Sequence, residues 1–562
     1  MRHDIRIAAG TVVSTFTGEH FAADVLVRGD QVSGIVAPEA EVDADTVLDA
    51  TGKLVVPGFI DAHMHVESAF LTPDTFAWAT LPRGTTTVLA DPHEIVNVAG
   101  PDALQWMIDV GKGTPQTQLW GVPSCVPAVD GLEHAGARLT TDDIERMLEW
   151  SGVVALGEVM DYRAVIDGDS RMHAIIVAAR RRGVILDGHC PDISGADLSA
   201  YLAAGVDSDH CKNATDVAVE KARLGMMLML QEKSLLPELM DALSALPHYP
   251  PICLVTDDLS ADHIVHSGHL DSIARAAVRA GMPPVEALRA LTLTPAGRLR
   301  LPDRGVVSPG KRADLVLLDG ALGDFEPYAV VAGGTVVARD GVPESRSAPA
   351  DHELPPATLT APPVTADDYR WLTDLPDGVH AFRAIRVNDV DTSTQETAVE
   401  LPVRDGEVRW EGRSAVVRVR NRYGGDGLVF APVVGRDLSD GAVAMTYAHD
   451  SHNLVTIATS AAALRAATDA VLDCGGGFAV ASGSRVVATL PLRVGGVMST
   501  GSVEETARLS GEIRTALHAW GWTHPNVFMS VSTLTLAVSP ALKVTDLSLV
   551  DVRDRAPVSS VV

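Results

Sequence analysis

Residues 54–68 read LVVPGFIDAHMHVES. Leu54, Val55 and Val56 lead through Pro57-Gly58 into Phe59-Ile60-Asp61-Ala62, an apolar run of strand length that ends in His63-Met64-His65. Side chains alternate faces along a strand, so residues two apart point the same way. Two imidazoles on one face at a strand's end can grip a single cation. An isolated HxH is as compatible with a polar turn, and the rest of the chain decides between the two.

From Leu54 to about Leu301 the pattern recurs: an apolar run, a polar or ligand-type end, then a helical stretch. Thr85 to Ala90 leads to Asp91-Pro92-His93-Glu94, Gln118 to Val122 to Pro123-Ser124, and Val153 to Gly157 to Glu158. Val184 to Leu186 leads to Asp187-Gly188-His189, Gly205-Val206 to Asp207-Ser208-Asp209-His210, Met226 to Leu230 to Gln231-Glu232, and Ile252 to Val255 to Thr256-Asp257-Asp258. Segments such as Thr141–Trp150, Arg171–Arg182 and Leu270–Ala280 carry helical apolar spacing between them. Eight strand–helix units over about 250 residues describe an α/β fold, a TIM-like (β/α)8 barrel whose catalytic groups sit at the C-terminal ends of the strands.

The barrel is expected over 54–302. Strand-and-turn patterns at 1–53 and 303–345 imply a small β-sandwich domain built from both flanks. The stretch 346–364, rich in Pro, Ala and acids, reads as a linker. Residues 365–562 read as a C-terminal α/β domain, with strands at Val416–Val419, Leu454–Ala458 and Val486–Leu490 and helices near Ala461–Leu472 and Val503–Trp520.

Composition narrows the function. The 562 residues carry 45 basic against 73 acidic side chains, a net charge of -28, which repels phosphate backbones and anionic lipid. No nucleic-acid or membrane partner is expected, and no apolar run approaches the roughly 20 residues of a membrane span. Cys125, Cys190, Cys211, Cys253 and Cys474 form no CxxC pair, and MRHDIRIAAG is no signal peptide, so a cytoplasmic protein with reduced thiols is expected.

The strand ends collect His63, His65, Glu158, His189, His210 and Asp257, four imidazoles and two carboxylates, enough for two divalent metals. One carboxylate can bridge two cations, and paired cations make hydroxide available near neutral pH. The absence of thiolates argues against a structural zinc site, while Zn(II), Fe(II) and Mn(II) all suit the donor set. Asp91, His93 and Glu94 admit four readings: supports behind the ligands, contacts to substrate, a further metal site, or a turn cap beside Pro92. His449, Asp450 and His452 face either the barrel mouth or a local turn. His93-Glu94-Ile95-Val96-Asn97 fails HExxH at its last position, His65-Val66-Glu67 has no PCxxC after it, and Gly475-Gly476-Gly477 lacks nucleotide-fingerprint spacing.

PGFIDAHMHVES and the strand-end ligands resemble the amidohydrolase superfamily. In order and spacing, HMHVES, DPHEIVNVAG, GEVM, DGHCP, SDH and VTDD, with AHDSHNLV and LPLRVGGVMS further on, are similar to the bacterial adenine deaminases over nearly the whole chain. The resemblance implies that His63, His65 and Asp257 hold one metal, that His189 and His210 hold the other, and that Glu158 bridges them. It also implies Mn(II) or Fe(II), a homo-oligomer, and hydrolysis of adenine to hypoxanthine and ammonia by a metal-bridging hydroxide in purine salvage. Asp257 would shuttle the proton, and Asp258 would either orient the ring or hold a metal ligand from behind. Deamination of another aminated purine or heterocycle, or cleavage of a cyclic amide, would use the same metals. A non-catalytic scaffold would have lost ligands that this chain keeps. Cys211 stands where the family usually has Glu, Leu259-Ser260 where it has a basic residue and His, and Cys190 in DGHCP for DGHAP.

Overall fold

The computed structural model describes residues 2–344 and 364–562. The linker expected over 346–364 lies, except for Val364, outside the described residues. The eight barrel strands are β1 (Phe59–Met64), β2 (Thr85–Ala90), β3 (Thr117–Val122), β4 (Val153–Val159), β5 (Ile185–Gly188), β6 (Ser208–Asp209), β7 (Met227–Leu230) and β8 (Ile252–Leu254). All their mutual pairings are parallel. β1 to β5 are the apolar, doubly covered runs that parallel strands need when helices pack outside them.

The backbone ladder is interrupted between β5 and β6, where side chains take over. Ser208 Oγ donates to Asp187 Oδ1 at 2.6 Å and accepts the Gly188 amide at 3.1 Å, and Asp209 Oδ1 accepts the Cys190 amide at 2.9 Å. Gly188 is required here, since a Cβ would stand 2.0 Å from the Ser208 carbonyl oxygen. The circle closes between β8 and β1: His65 donates its amide to the Asp257 carbonyl at 3.2 Å, and Asp257 donates its own to the His63 carbonyl at 3.3 Å.

The two flanks contribute strands to one continuous nine-stranded sheet. The strand Leu54–Pro57 belongs to this sheet, paired antiparallel with Leu315–Asp319 and parallel with His3–Val13, so the flanking domain reaches past residue 53. Alternation divides its faces. Val55, Leu315 and Leu317 fill the sheet's own core, while Val56, Val316 and Leu318 pack on the barrel with Phe59, Ala77 and Leu81. Val330–Arg339 is a hairpin of Glu326–Ala332 and Thr335–Arg339, turned at Gly333-Gly334, where both residues take positive φ (54° and 76°).

The C-terminal domain holds a second nine-stranded sheet, antiparallel except where Gly378–Arg386 runs parallel to Leu428–Val434. The helix Ala461–Asp473 covers one face through Ala463, Leu464 and Ala467. The other face turns Val443, Met445, Val455, Phe478 and Val480 into a core shared with Met64, Val66 and Phe70 of the barrel. Polar ties fix the junction. Arg514, on the helix Val503–Trp520, donates to Asp262 Oδ2 at 2.6 Å and Ser260 Oγ at 2.9 Å; His134 and Asp546 meet at 2.7 Å.

Candidate functional site

The six strand-end side chains converge. His63 and His65, alternating with Met64 at the end of β1, are oriented from behind. His63 donates Nδ1–H to Asp187 Oδ2 at 2.6 Å, and His65 donates Nδ1–H to the Asp91 carbonyl at 2.8 Å. A carbonyl only accepts, so the proton of His65 is on Nδ1 and the lone pair is on Nε2. Both Nε2 atoms face Asp257 Oδ1, at 3.6 Å from His63 and 3.3 Å from His65.

Glu158, near the end of β4, stands between two groups. Its Oε1 lies 3.4 Å from His65 Nε2 and 3.3 Å from His93 Nε2; its Oε2 lies 2.7 Å from His189 Nδ1 and 3.2 Å from His210 Nε2. The Glu158 amide donates to Asp91 Oδ2 at 2.7 Å. A Cβ on Gly157 would meet that carboxylate at 2.3 Å, so the glycine is what admits Asp91. Asp91 therefore supports the cluster from behind.

The electrostatics are those of a cation site. Burial works against the Glu158 carboxylate, yet the imidazoles of His189 and His210 hold it well below the usual range. Burial likewise opposes ionised Asp187, and His63 overcomes it, bringing the group down to about 2. His63 Nε2, Glu158 Oε2 and His210 Nδ1 are buried without a hydrogen-bond partner, although neighbours are close. Lone pairs that approach one another without hydrogen-bond geometry, on imidazole and carboxylate only, fit a divalent metal. The triads His63/His65/Asp257 and His63/Glu158/His210 each bring one donor atom per residue within 4.8 Å of the others.

Asp257 sits at φ 57°, a left-handed conformation that a non-glycine residue adopts at a cost, held by its two backbone bonds to the end of β1. Asp258 Oδ1 accepts Ser68 Oγ at 2.5 Å, and Ser68 Oγ lies 2.7 Å from Tyr447 Oη of the C-terminal domain. Burial and the adjacent Asp257 charge push the Asp258 carboxyl up; burial and Glu94 push Glu67 up to about 8. Cys211 is buried with a donor distance within 4.8 Å of His189 and His210, and burial raises its thiol well above the ordinary value. Leu259 packs into the shared core and Ser260 accepts from Arg514, so this pair serves the domain junction.

The structure thus brings together His63, His65, Glu158, His189, His210 and Asp257, with Asp91, His93, Glu94, Cys211 and Asp258 around them. His449 and Asp450 do reach the mouth: the His93 and His449 rings are 6.0 Å apart, and His93 Nδ1 is 3.8 Å from Asp450 Oδ2. Sequence reading passed over Asp187, Ser68 and Tyr447. Asp187 could have been found, being a carboxylate at the end of β5, two residues before His189. Nothing local marks Tyr447, whose partner Ser68 is 379 positions away.

Two family models match the chain, the amidohydrolase family over residues 54–337 and the adenine deaminase C-terminal domain over 391–556. A protein named adenine deaminase 2 from Shouchella clausii is 35% identical over 99% of this chain and 98% of its own. An adenine deaminase from Clostridium perfringens is 37% identical over 100% of both chains, and an adenine deaminase 2 from Rhizobium meliloti is 38% identical over 98% of this chain and 93% of its own.

Proposed function

The chain belongs to the adenine deaminases of the amidohydrolase family, and from that premise we propose that it hydrolyses adenine to hypoxanthine and ammonia with two divalent metals at the Glu158 cluster. The observation that carries the activity is identity of 35–38% over essentially the full length of proteins of that name. His63, His65 and Asp257 would hold one ion, His189 and His210 the other, and Glu158 would be shared between them. Bound there, Mn(II), Fe(II) or Zn(II) lowers the pKa of water so that hydroxide is available near neutral pH.

The chain's own residues supply position and protons. Asp257 turns Oδ1 to the histidines, which leaves Oδ2, 3.8 Å from Lys233 Nζ, to take a proton and pass it to the leaving nitrogen. As C6–O forms and C6–N breaks, ammonia departs with that proton. Asp258, held by Ser68 and through it by Tyr447, is placed to orient the ring. Seating Leu259 and Ser260 in the domain junction supports adenine over another aminated ring, since their departure from the usual residues is used elsewhere.

The five free cysteines support a reducing, cytoplasmic setting, and no described helix is long and apolar enough to cross a membrane. Self-association belongs to the same reading, with sedimentation as its test. The deciding experiment is ammonia release from adenine by protein reconstituted anaerobically with Mn(II) or Fe(II), with metal quantified on the same sample. Turnover with about two ions at the cluster is expected; bound metal without turnover on adenine would reject the substrate.

A further inference from the structure

Beyond the Glu158 cluster lies a second set of donors that the paired-metal reading leaves unused. His93 opens the helix His93–Ala99 directly after β2, with Nε2 turned to Glu158 and Nδ1 turned away from it. Near Nδ1 stand Glu94 Oε2 at 3.7 Å and Asp450 Oδ2 at 3.8 Å. His449 faces the same space, and His93, His449 and Asp450 each offer a donor atom within 4.8 Å of the other two. His449 Nδ1 is engaged with Asp450 Oδ1 at 3.2 Å, so its Nε2 is the nitrogen left over.

His93 Nδ1, Glu94 Oε2, His449 Nε2 and Asp450 Oδ2 are all buried and all without a hydrogen-bond partner. Buried polar groups are almost always hydrogen-bonded, so orphan atoms on four side chains linked by contacts of 3.7 Å (His93–Glu94), 3.8 Å (His93–Asp450) and 3.2 Å (His449–Asp450) call for a partner. The ion pairs of Glu94 and Asp450 run to His65, His93 and His449, so their charge is met by imidazoles that are themselves potential donors. Separations of 3.7 and 3.8 Å exceed a hydrogen bond yet suit two ligands of one shared ion.

We propose that His93 Nδ1, Glu94, His449 and Asp450 form a third divalent-cation site at the junction of the barrel and the C-terminal domain. Two carboxylates balance one dication, and two imidazoles with two carboxylates suit Mn(II), Fe(II) or Zn(II). Each domain supplies two ligands, so the ion cross-links them. An ion on Nδ1 also leaves the His93 proton on Nε2, which makes His93 a donor to Glu158 Oε1 and ties the two centres through one ring. The site stands on its own donors, whether the Glu158 cluster holds one ion or two.

The test is metal content of full-length protein at equilibrium in dialysis against buffered Mn(II) without oxygen, for wild type, Asp450→Asn and Glu158→Gln, with anomalous diffraction at the manganese edge on wild-type crystals. Asp450→Asn is expected to carry one ion fewer than wild type, and wild-type crystals to show a peak among His93 Nδ1, Glu94, His449 and Asp450. Glu158→Gln should lose the ions of its own cluster in the dialysis yet retain one per chain, which separates this proposal from the paired-metal reading. Equal content in wild type and Asp450→Asn, or no peak at the junction, would overturn it. Should Asp450→Asn not fold, the wild-type peak decides alone.

Discussion

Two nine-stranded sheets flank the barrel, and they do different work. The sheet from the chain's flanks meets it through Val56, Val316 and Leu318, an apolar seam against Phe59, Ala77 and Leu81. The C-terminal sheet meets it through an apolar core too, but the connection between its strands Gly441–Met445 and Leu454–Ala458 delivers Tyr447, His449, Asp450, Ser451, His452 and Asn453, all buried. Burying so many polar groups is unfavourable unless something uses them. The flanking sheet is a support; the C-terminal sheet is part of the site's wall.

The contrast can be broken experimentally. The largest effect on turnover belongs to the cluster itself: Glu158→Gln should lose bound metal and roughly 10³-fold or more in kcat, read by steady-state assay beside metal analysis. Near-normal turnover with full metal would remove Glu158 as the link. Asp257→Asn should cost on the order of 10²-fold in kcat with KM changed far less; an unchanged kcat would dismiss it as the proton carrier.

From the C-terminal sheet, Tyr447→Phe removes one hydroxyl that meets Ser68, and about tenfold in kcat/KM is expected, the equivalent of ~1.4 kcal/mol. Full activity would demote that sheet to a cover like the other. From the flanking sheet, Leu317→Ala should lower unfolding stability by about 2–5 kcal/mol while activity per folded molecule stays at the wild-type value. A loss of activity without a loss of stability would show that the flanking sheet also shapes the site.

The sequence made the barrel legible because its strands combine an apolar run with a chemically marked end, except β6, where Gly205-Val206 precedes a strand made of Ser208–Asp209 alone. Thr85–Ala90 matches its observed bounds, and the helix Val503–Trp520 does as well. The convergence of His63, His65, Glu158, His189, His210 and Asp257 was legible for the same reason: each lies at or just past a strand end, where position and chemistry coincide. Leu54–Pro57 misled because its apolar run is continuous with β1, and only Gly58, which a Cβ would drive to 2.2 Å from Thr86 Oγ1, separates the flanking sheet from the barrel. The reach of His449 and Asp450 was left open because it depends on how two domains meet. Long-range contacts such as Ser68 to Tyr447 have no local signature to read.

The interrupted ladder between β5 and β6 has a consequence for metal loading. His189 follows β5 and His210 follows β6, so the two imidazoles that face one oxygen of Glu158 stand on opposite lips of the one side-chain-sewn joint described in the barrel wall. Backbone ladders resist spreading cooperatively, whereas a joint stitched by Ser208, Asp187 and Asp209 can part a stitch at a time. The wall therefore has a built-in place to widen, and it lies where an ion held by His189 and His210 would come and go.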